Sequence, residues 1–290
     1  MTDFPRGLGA TLAFILGACA GSFVNVVAYR LPREISLATP RSFCPRCNRP
    51  IPLYANIPIL AYLGLRGRCL MCGKAIPFRY FLTELTMGVA GAYLYLYFTP
   101  ERALARFVFC AALYAVALID YDWRVIPNVI TFFGIPVGLA CAAFALPEVG
   151  LRSALIGAVG GGGALFIIGE VYLWLRRQEG VGLGDVWLLG MIGAFIGWPG
   201  VLFTLFFGSL FGTIGGIVFA LAGGAPAPPD EVVPQAIAEV TGVRRGIAPE
   251  DHPGGPSLMR TEVPFGPFLA FAAAAYALFQ PQLLHWYLSR

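Results

Sequence analysis

Two aspartates and four cysteines are the residues of this chain whose types and spacing could do chemistry. Asp120 ends an apolar run in Leu118-Ile119-Asp120-Tyr121-Asp122-Trp123-Arg124, and Asp185 stands in Gly182-Leu183-Gly184-Asp185 at the start of another. Two carboxyl groups sharing a site cannot easily both ionise, so one keeps a proton while the other stays charged. Such a pair can activate water: the ionised partner takes a proton from it, and the protonated partner donates to the oxygen of the carbonyl under attack. Gly182 and Gly184 leave the backbone beside Asp185 free to approach a neighbour closely. The same acids would also suit a proton relay, or serve as helix-end charges paired with Arg124, Arg176 or Arg177, and residue type alone leaves these readings open. Asp122 is the alternative first acid. No HExxH is present, and His252 and His285 are poorly placed for a buried triad, which disfavours serine or metal hydrolysis.

The cysteines form two knuckles, Cys44-Pro45-Arg46-Cys47 and Cys69-Leu70-Met71-Cys72, with 21 residues between them. A two-residue gap lets one tight turn present both sulfurs, and four thiolates close a tetrahedron around zinc. Gly73 follows the second knuckle, where a turn needs a positive φ. A closed four-sulfur site leaves no position for a substrate, so the metal is expected to hold shape. A pair of redox CxxC sites and an iron-sulfur cluster are the rival readings. Cys19, Cys110 and Cys141 lie in apolar runs and are expected to pack.

The elements that must position these groups are set by the solvent. The 290 residues are 58% apolar and only 12% charged, with a mean hydropathy of +0.72. Soluble domains carry roughly 25% charged residues. The apolar residues come in long blocks near 7–28, 80–98, 103–120, 125–146, 151–175, 185–198, 199–222 and 264–287. A crossing needs about 20 such residues, so the expected fold class is an all-α polytopic membrane protein of about eight transmembrane helices. The first block is too long, and lacks the cleavage pattern, for a removable signal peptide.

Basic residues accumulate on the cytoplasmic side of membrane proteins. With the N-terminus outside, fifteen of the twenty Lys and Arg residues fall inside, most of them in the first loop. The net charge of +4 is then a matter of topology and calls for no nucleic-acid partner. On this topology Asp120 and Asp185 reach the same membrane face, and the cysteine loop lies in a reducing compartment where disulfides are disfavoured. The expected organisation is a first helix at 1–28, a small cytosolic zinc-binding lobe with the four cysteines at 29–79, a membrane core at 80–222, a cytosolic polar loop at 223–262 and a last helix at 263–290. Residues 231–240 of that loop could form a short helix. Gly17 with Gly21, and the Gly160–Gly163 run, suit close helix approach. A phosphate-binding loop is the rival reading of the run, weakened by the lack of a strand-loop-helix context.

At these residues the sequence resembles the type IV prepilin peptidases, also called prepilin leader peptidase/N-methyltransferases. The resemblance takes in Gly21-Ser22-Phe23-Val24-Asn25 through Tyr29-Arg30-Leu31-Pro32, the paired CxxC lobe, and Ile76-Pro77-Phe78-Arg79-Tyr80 with Glu84. It continues through Asp120 to Ile126-Pro127-Asn128, Gly182-Leu183-Gly184-Asp185, and Pro264-Phe265-Gly266-Pro267-Phe268-Leu269. It implies a membrane aspartyl endopeptidase with Asp120 and Asp185 catalytic, cutting basic leaders from prepilins or pseudopilins at the cytosolic face of the cytoplasmic (inner) membrane. It also implies methylation of the new amine from S-adenosylmethionine, with zinc held by Cys44, Cys47, Cys69 and Cys72. The family commonly has lysine two residues after the GxGD aspartate; this chain has Trp187, and Arg124 is a candidate replacement cation. Glu84 and Arg79 are expected either to orient the cysteine lobe or to meet substrate. The site of the methyl donor and the oligomeric state are not fixed by sequence.

Overall fold

The structure, a computed structural model, describes residues 5–177, 182–221 and 265–288. The polar loop, including its expected helix at 231–240, and Pro264 lie outside the described residues. The described chain is helical throughout its apolar blocks. Helix α1 spans Arg6–Arg30, α2 Leu60–Gly64, α3 Phe78–Tyr97, α4 Pro100–Trp123, α5 Asn128–Phe144, α6 Leu151–Arg176, α7 Leu183–Leu221 and α8 Gly266–Leu288. Prolines mark several starts: Pro5, Pro77 and Pro127 precede α1, α3 and α5, and Pro100 opens α4. A fixed φ and a missing N–H are harmless where the first turn has no acceptor to meet.

Four stretches are long and apolar enough to cross a membrane: Arg6–Arg33, Pro100–Trp123, Leu151–Arg176 and Leu183–Val218. Asn128–Phe144 and Gly266–Gln280 are shorter apolar helices. Large apolar side chains cover the helix exteriors, Phe144 at 90% exposed and Trp174 at 77%; that surface suits lipid and not water. The chain is thus a mainly helical, multi-pass membrane protein. The expected sixth and seventh blocks are one element, α7, broken at Gly197, whose φ of 70° and ψ of 179° are not helical. Pro199 follows it inside the helix.

The chain divides into two compact units, the first running to Thr99 and the second starting at Pro100. In the first, α1 packs on α3. A side chain at Gly21 would stand 2.8 Å from Glu84 Cα and from the Thr83 carbonyl oxygen, so the small residue sets how closely the two helices approach. In the second, α7 packs against α5, α6 and α8, and α4 against α8. Its core holds Leu113, Val116, Leu188, Met191, Ile192 and Leu269, with Phe109 stacked on Phe195 at 4.6 Å.

Gly160–Gly163 lie inside the continuous helix α6, which rules out a phosphate-binding loop there. Gly161 and Gly162 face α7, where a Cβ would meet Val201 at 3.0 Å and the Val186 carbonyl oxygen at 3.1 Å. Gly160 and Gly163 face open space. Away from the candidate site, the start of α4 is tied to α8 by Arg106. Its guanidinium, 4% exposed, donates to the Ala277 carbonyl, to Glu148 Oε1 at 2.7 Å and to Gln280 Oε1 at 3.1 Å.

Candidate functional site

Asp120 lies one turn before the end of α4, and Asp185 lies in the first turn of α7. Helix α4 stops there because Arg124 turns left-handed, at φ 54°, and its N–H closes onto the Asp120 carbonyl at 2.8 Å. Gly184 is pressed against the segment that follows: a Cβ there would stand 2.8 Å from Ile126 Cβ. A bulkier residue before Asp185 would push the start of α7 off the end of α4, which explains why the position is glycine. The side chains of Asp120 and Asp185 lie within electrostatic reach of each other, and the Arg124 guanidinium acts on Asp120 as well.

A third element completes the arrangement. The N–H of Gly266, at the start of α8, donates to Asp120 Oδ2 at 3.0 Å. Asp120 is 6% exposed. Asp185 Oδ1 is buried and has no hydrogen-bond partner among the described residues, so one carboxylate oxygen is left for water or a ligand. Burying such an oxygen unpaired is costly, and functional sites are where that cost is tolerated. Asp122, two residues on and turned to another side of α4, is less buried than Asp120 and accepts no bond from Gly266.

Trp187 meets Phe132 of α5 edge-on, ring centroids 5.6 Å apart. That position therefore serves helix packing in this chain. Gly266 is the residue that reading the sequence for reactive groups missed. It has no functional group, and its only signal was membership of the Pro264–Leu269 run.

The four cysteines come together in the first unit. Their sulfurs all lie within 4.8 Å of one another, with Cys44 Sγ 4.0 Å from Cys72 Sγ. Two hairpins of the same design present them. The N–H of Cys44 bonds the Arg49 carbonyl and the N–H of Asn48 bonds the Cys44 carbonyl; the N–H of Cys69 bonds the Lys74 carbonyl and that of Gly73 the Cys69 carbonyl. Gly73 has φ 68°, as its place after the knuckle requires, and Asn48 has φ 55° at the equivalent place in the first hairpin. Asparagine is among the few residues that enter this region readily.

Cys44 and Cys69 differ in acidity. Burial pushes the Cys44 thiol up to about 12. Burial also opposes ionisation of Cys69, but the N–H groups of Cys72 and Met71 and the neighbouring thiols outweigh it and bring that group to about 7. Four sulfurs in a reduced loop at this spacing form a donor set that fits a tetrahedral metal such as zinc.

The residues between and around the hairpins are tied to α1 and α3. Arg30, 4% exposed, donates to the carbonyls of Ser36 at 2.9 Å and Pro40 at 2.7 Å. Asn25 donates to the Tyr80 carbonyl at 3.2 Å. Glu84 of α3 accepts the N–H of Ile59 at 2.7 Å. Glu84 therefore ties the segment between the hairpins to α3, and the resemblance motif around Asn25 and Arg30 has a structural purpose.

Two carboxylates thus lie near each other at separate helix ends of a mainly helical membrane protein, and its relatives give the chain a family. Residues 107–217 match the type IV leader peptidase family, and residues 15–98 match the bacterial peptidase A24 N-terminal domain. The chain is 38% identical over 225 residues to a Myxococcus xanthus protein named prepilin leader peptidase/N-methyltransferase, covering 77% of this chain and 67% of that one. Proteins of the same name from Burkholderia pseudomallei and Pseudomonas aeruginosa are 33% and 30% identical, covering 95% and 94% of this chain and 87% and 91% of theirs. No solved structure matches. The chain belongs to the type IV leader peptidase family, and it is an enzyme.

Proposed function

We propose that this enzyme is an aspartyl endopeptidase that removes the basic leader from type IV prepilins or type II secretion pseudopilins at the cytosolic face of the inner membrane. It then N-methylates the exposed terminal residue with S-adenosylmethionine. The observation that carries the peptidase reading is that Asp120, at the end of α4, and Asp185, at the start of α7, lie within electrostatic reach of each other, with the Gly266 N–H on Asp120 Oδ2.

In this mechanism the two aspartates share one proton. The ionised one draws a proton from water, the oxygen attacks the scissile carbonyl, and the protonated one donates to the carbonyl oxygen and then assists the leaving amine. The Gly266 N–H holds one oxygen of Asp120, leaving the other to work. A pilin precursor with an apolar helix in the bilayer and a basic leader in the cytosol would bring its scissile bond to the membrane boundary. Helical carbonyls are already hydrogen-bonded, so local unwinding precedes attack.

In this reading the chain crosses eight times, the two halves of α7 counting separately, with the N-terminus outside. The first helix is 1–28, the cysteine lobe 29–79, the protease core 80–222, the polar loop 223–262 and the last helix 263–290. Cys44, Cys47, Cys69 and Cys72 would hold zinc and fix the shape of the lobe. S-adenosylmethionine supplies an electrophilic methyl group when bound.

The test is a cleavage assay with purified enzyme in detergent and a prepilin bearing a basic leader. Asp120→Asn and Asp185→Asn are each expected to lose about 10²–10⁴-fold in rate, while Asp122→Asn cleaves normally. Normal cleavage by the first two would overturn the aspartyl mechanism.

A further inference from the structure

The stretch between the two cysteine hairpins carries no charge. Residues 50–65, bounded by Arg49 and Arg66, read Pro-Ile-Pro-Leu-Tyr-Ala-Asn-Ile-Pro-Ile-Leu-Ala-Tyr-Leu-Gly-Leu. The run is broken into a single 3-10 turn at Leu53–Asn56 and the short helix α2 at Leu60–Gly64. It is therefore too short to cross a membrane, and belongs either in a protein core or at the membrane interface. Exposure excludes the core: Leu53 is 74% exposed and Leu60 66%, and Tyr54 and Leu63 are exposed as well. The segment has an inner face too, because Ala55, Ala61, Tyr62 and Leu65 line the cavity between the hairpins and the ends of α1 and α3. Leu60 and Leu63, three residues apart on α2, share the outer face.

The depth of the segment is set by α1 and α3. The N–H of Ile59 is held by Glu84 at 2.7 Å. Glu84 is level with Gly21 of α1, where a Cβ would stand 2.8 Å from the Glu84 Cα. From Gly21 to Arg30, the first charge on α1 after Arg6, the helix rises about 13 Å. A glutamate side chain covers only part of that distance, so Ile59 is held on the membrane side of the charged end of α1. Tyr62 rests on the first turn of α3, with ring centroids 6.3 Å from Phe78 and 5.3 Å from Phe81. Phe78 is itself exposed, so the apolar exterior of α3 continues onto the outer face of the segment. The surrounding chain is basic. From Arg33 to Arg79 there are eight Lys and Arg residues and one acid, Glu34.

We infer that residues 50–65 are an interfacial anchor: Leu53, Tyr54, Leu60 and Leu63 enter the outer acyl layer of the leaflet at which α1 ends, and Arg49, Arg66 and Arg68 meet the lipid phosphates. The inference rests on the reading above that α1 and α3 cross the membrane. An apolar face sunk at the headgroup boundary, with basic residues beside it, is held by burial and by charge together. Backbone groups in that layer need partners, and this segment has them. The Ala61 N–H bonds the Ile57 carbonyl at 2.9 Å, the Leu63 N–H bonds the Ile59 carbonyl at 3.0 Å, and Glu84 takes the Ile59 N–H. A second copy of the chain is the rival occupant. A two-fold contact would set the arginines that bound the run against their own copies, whereas lipid phosphates neutralise them.

The test replaces Leu60 with p-benzoylphenylalanine in the full chain, held in nanodiscs of phosphatidylethanolamine and phosphatidylglycerol. Phe144 of α5, 90% exposed, is replaced in the same way as a control. On illumination, position 60 is expected to give an adduct of phospholipid mass, as position 144 does. A cross-link from position 60 to a second copy of the chain, or no adduct there while position 144 forms one, would overturn the anchor. No lipid adduct at either position would strike the membrane reading itself and the anchor with it, so the two failures are distinguishable. A second measurement adds chymotrypsin to nanodiscs of the Leu60→Asp, Leu63→Asp double variant. Cuts at Tyr54 and Tyr62 are expected about tenfold faster than in wild type, since a segment lifted from lipid is open to the protease. Zinc content is expected to stay as in wild type, because these exposed side chains hold no part of the lobe's fold. Cutting at the wild-type rate would overturn the anchor.

Discussion

The Gly266 N–H donates to Oδ2 of Asp120 across 146 residues of sequence, and a Cβ on Gly266 would stand 2.5 Å from that same oxygen. Glycine is therefore required by the carboxylate it touches. Gly266→Ala is expected to displace Asp120 and to lower kcat by about 100-fold, the scale of a misplacement near 1 Å, with KM little changed. Steady-state cleavage kinetics check this, and an unaltered kcat would mean that the contact does not position the acid.

Zinc is expected at one equivalent per chain by elemental analysis. Cys44→Ser or Cys72→Ser should remove it and make residues 43–75 sensitive to protease, because a lobe with little core depends on its metal. Loss should also follow pH. Thiolates are the ligands, so protons compete with metal, and acidification should release zinc that neutral and higher pH retains. A metal-free lobe that resists protease as wild type does would contradict the structural role.

The buried guanidinium of Arg106 predicts an asymmetry with its neighbour Arg102. Both reach Glu148, at 2.7 Å and 3.6 Å, but the Arg102 side chain is 41% exposed. Arg106→Ala leaves buried partners without a donor and should cost about 3–5 kcal/mol. Arg102→Ala should cost under ~1 kcal/mol. Thermal unfolding in detergent separates the two.

Within the glycine run of α6, Gly162→Leu should split α6 from α7 and lower Tm markedly. Gly163→Leu, one residue on and facing open space, should leave Tm within a few degrees. Equal effects would show that the run does not pack as described.

Much of this architecture is legible in the sequence, for definable reasons. The apolar blocks locate the helices because lipid demands long uninterrupted runs, and the two knuckles announce themselves because metal geometry fixes ligand spacing. Gly73 could be read as a positive-φ turn residue, and its structure agrees. Its counterpart Asn48 went unread because asparagine occurs in many other settings. The role of Gly266 was invisible for a related reason: a backbone N–H is the same at every residue, and only the fold decides which one meets Asp120. The tie between Arg106, Glu148 and Gln280 joins positions far apart in sequence, so no local pattern encodes it. The break at Gly197 is the intermediate case. The sixth and seventh blocks could be separated by the Gly197-Trp198-Pro199 turn signal, but not recognised as halves of one broken helix.

That break bears on membrane thickness. From Leu183 to Ile196 the first half of α7 rises only about 21 Å at ~1.5 Å per residue, against a hydrocarbon layer of roughly 30 Å. If Gly197 sits at one boundary, Asp185 falls some way short of the other. The lipid must then thin around the acids, or water must reach down to them. Bilayers of shorter-chain lipid relieve this mismatch, and a reconstituted enzyme should read chain length as a control on its rate.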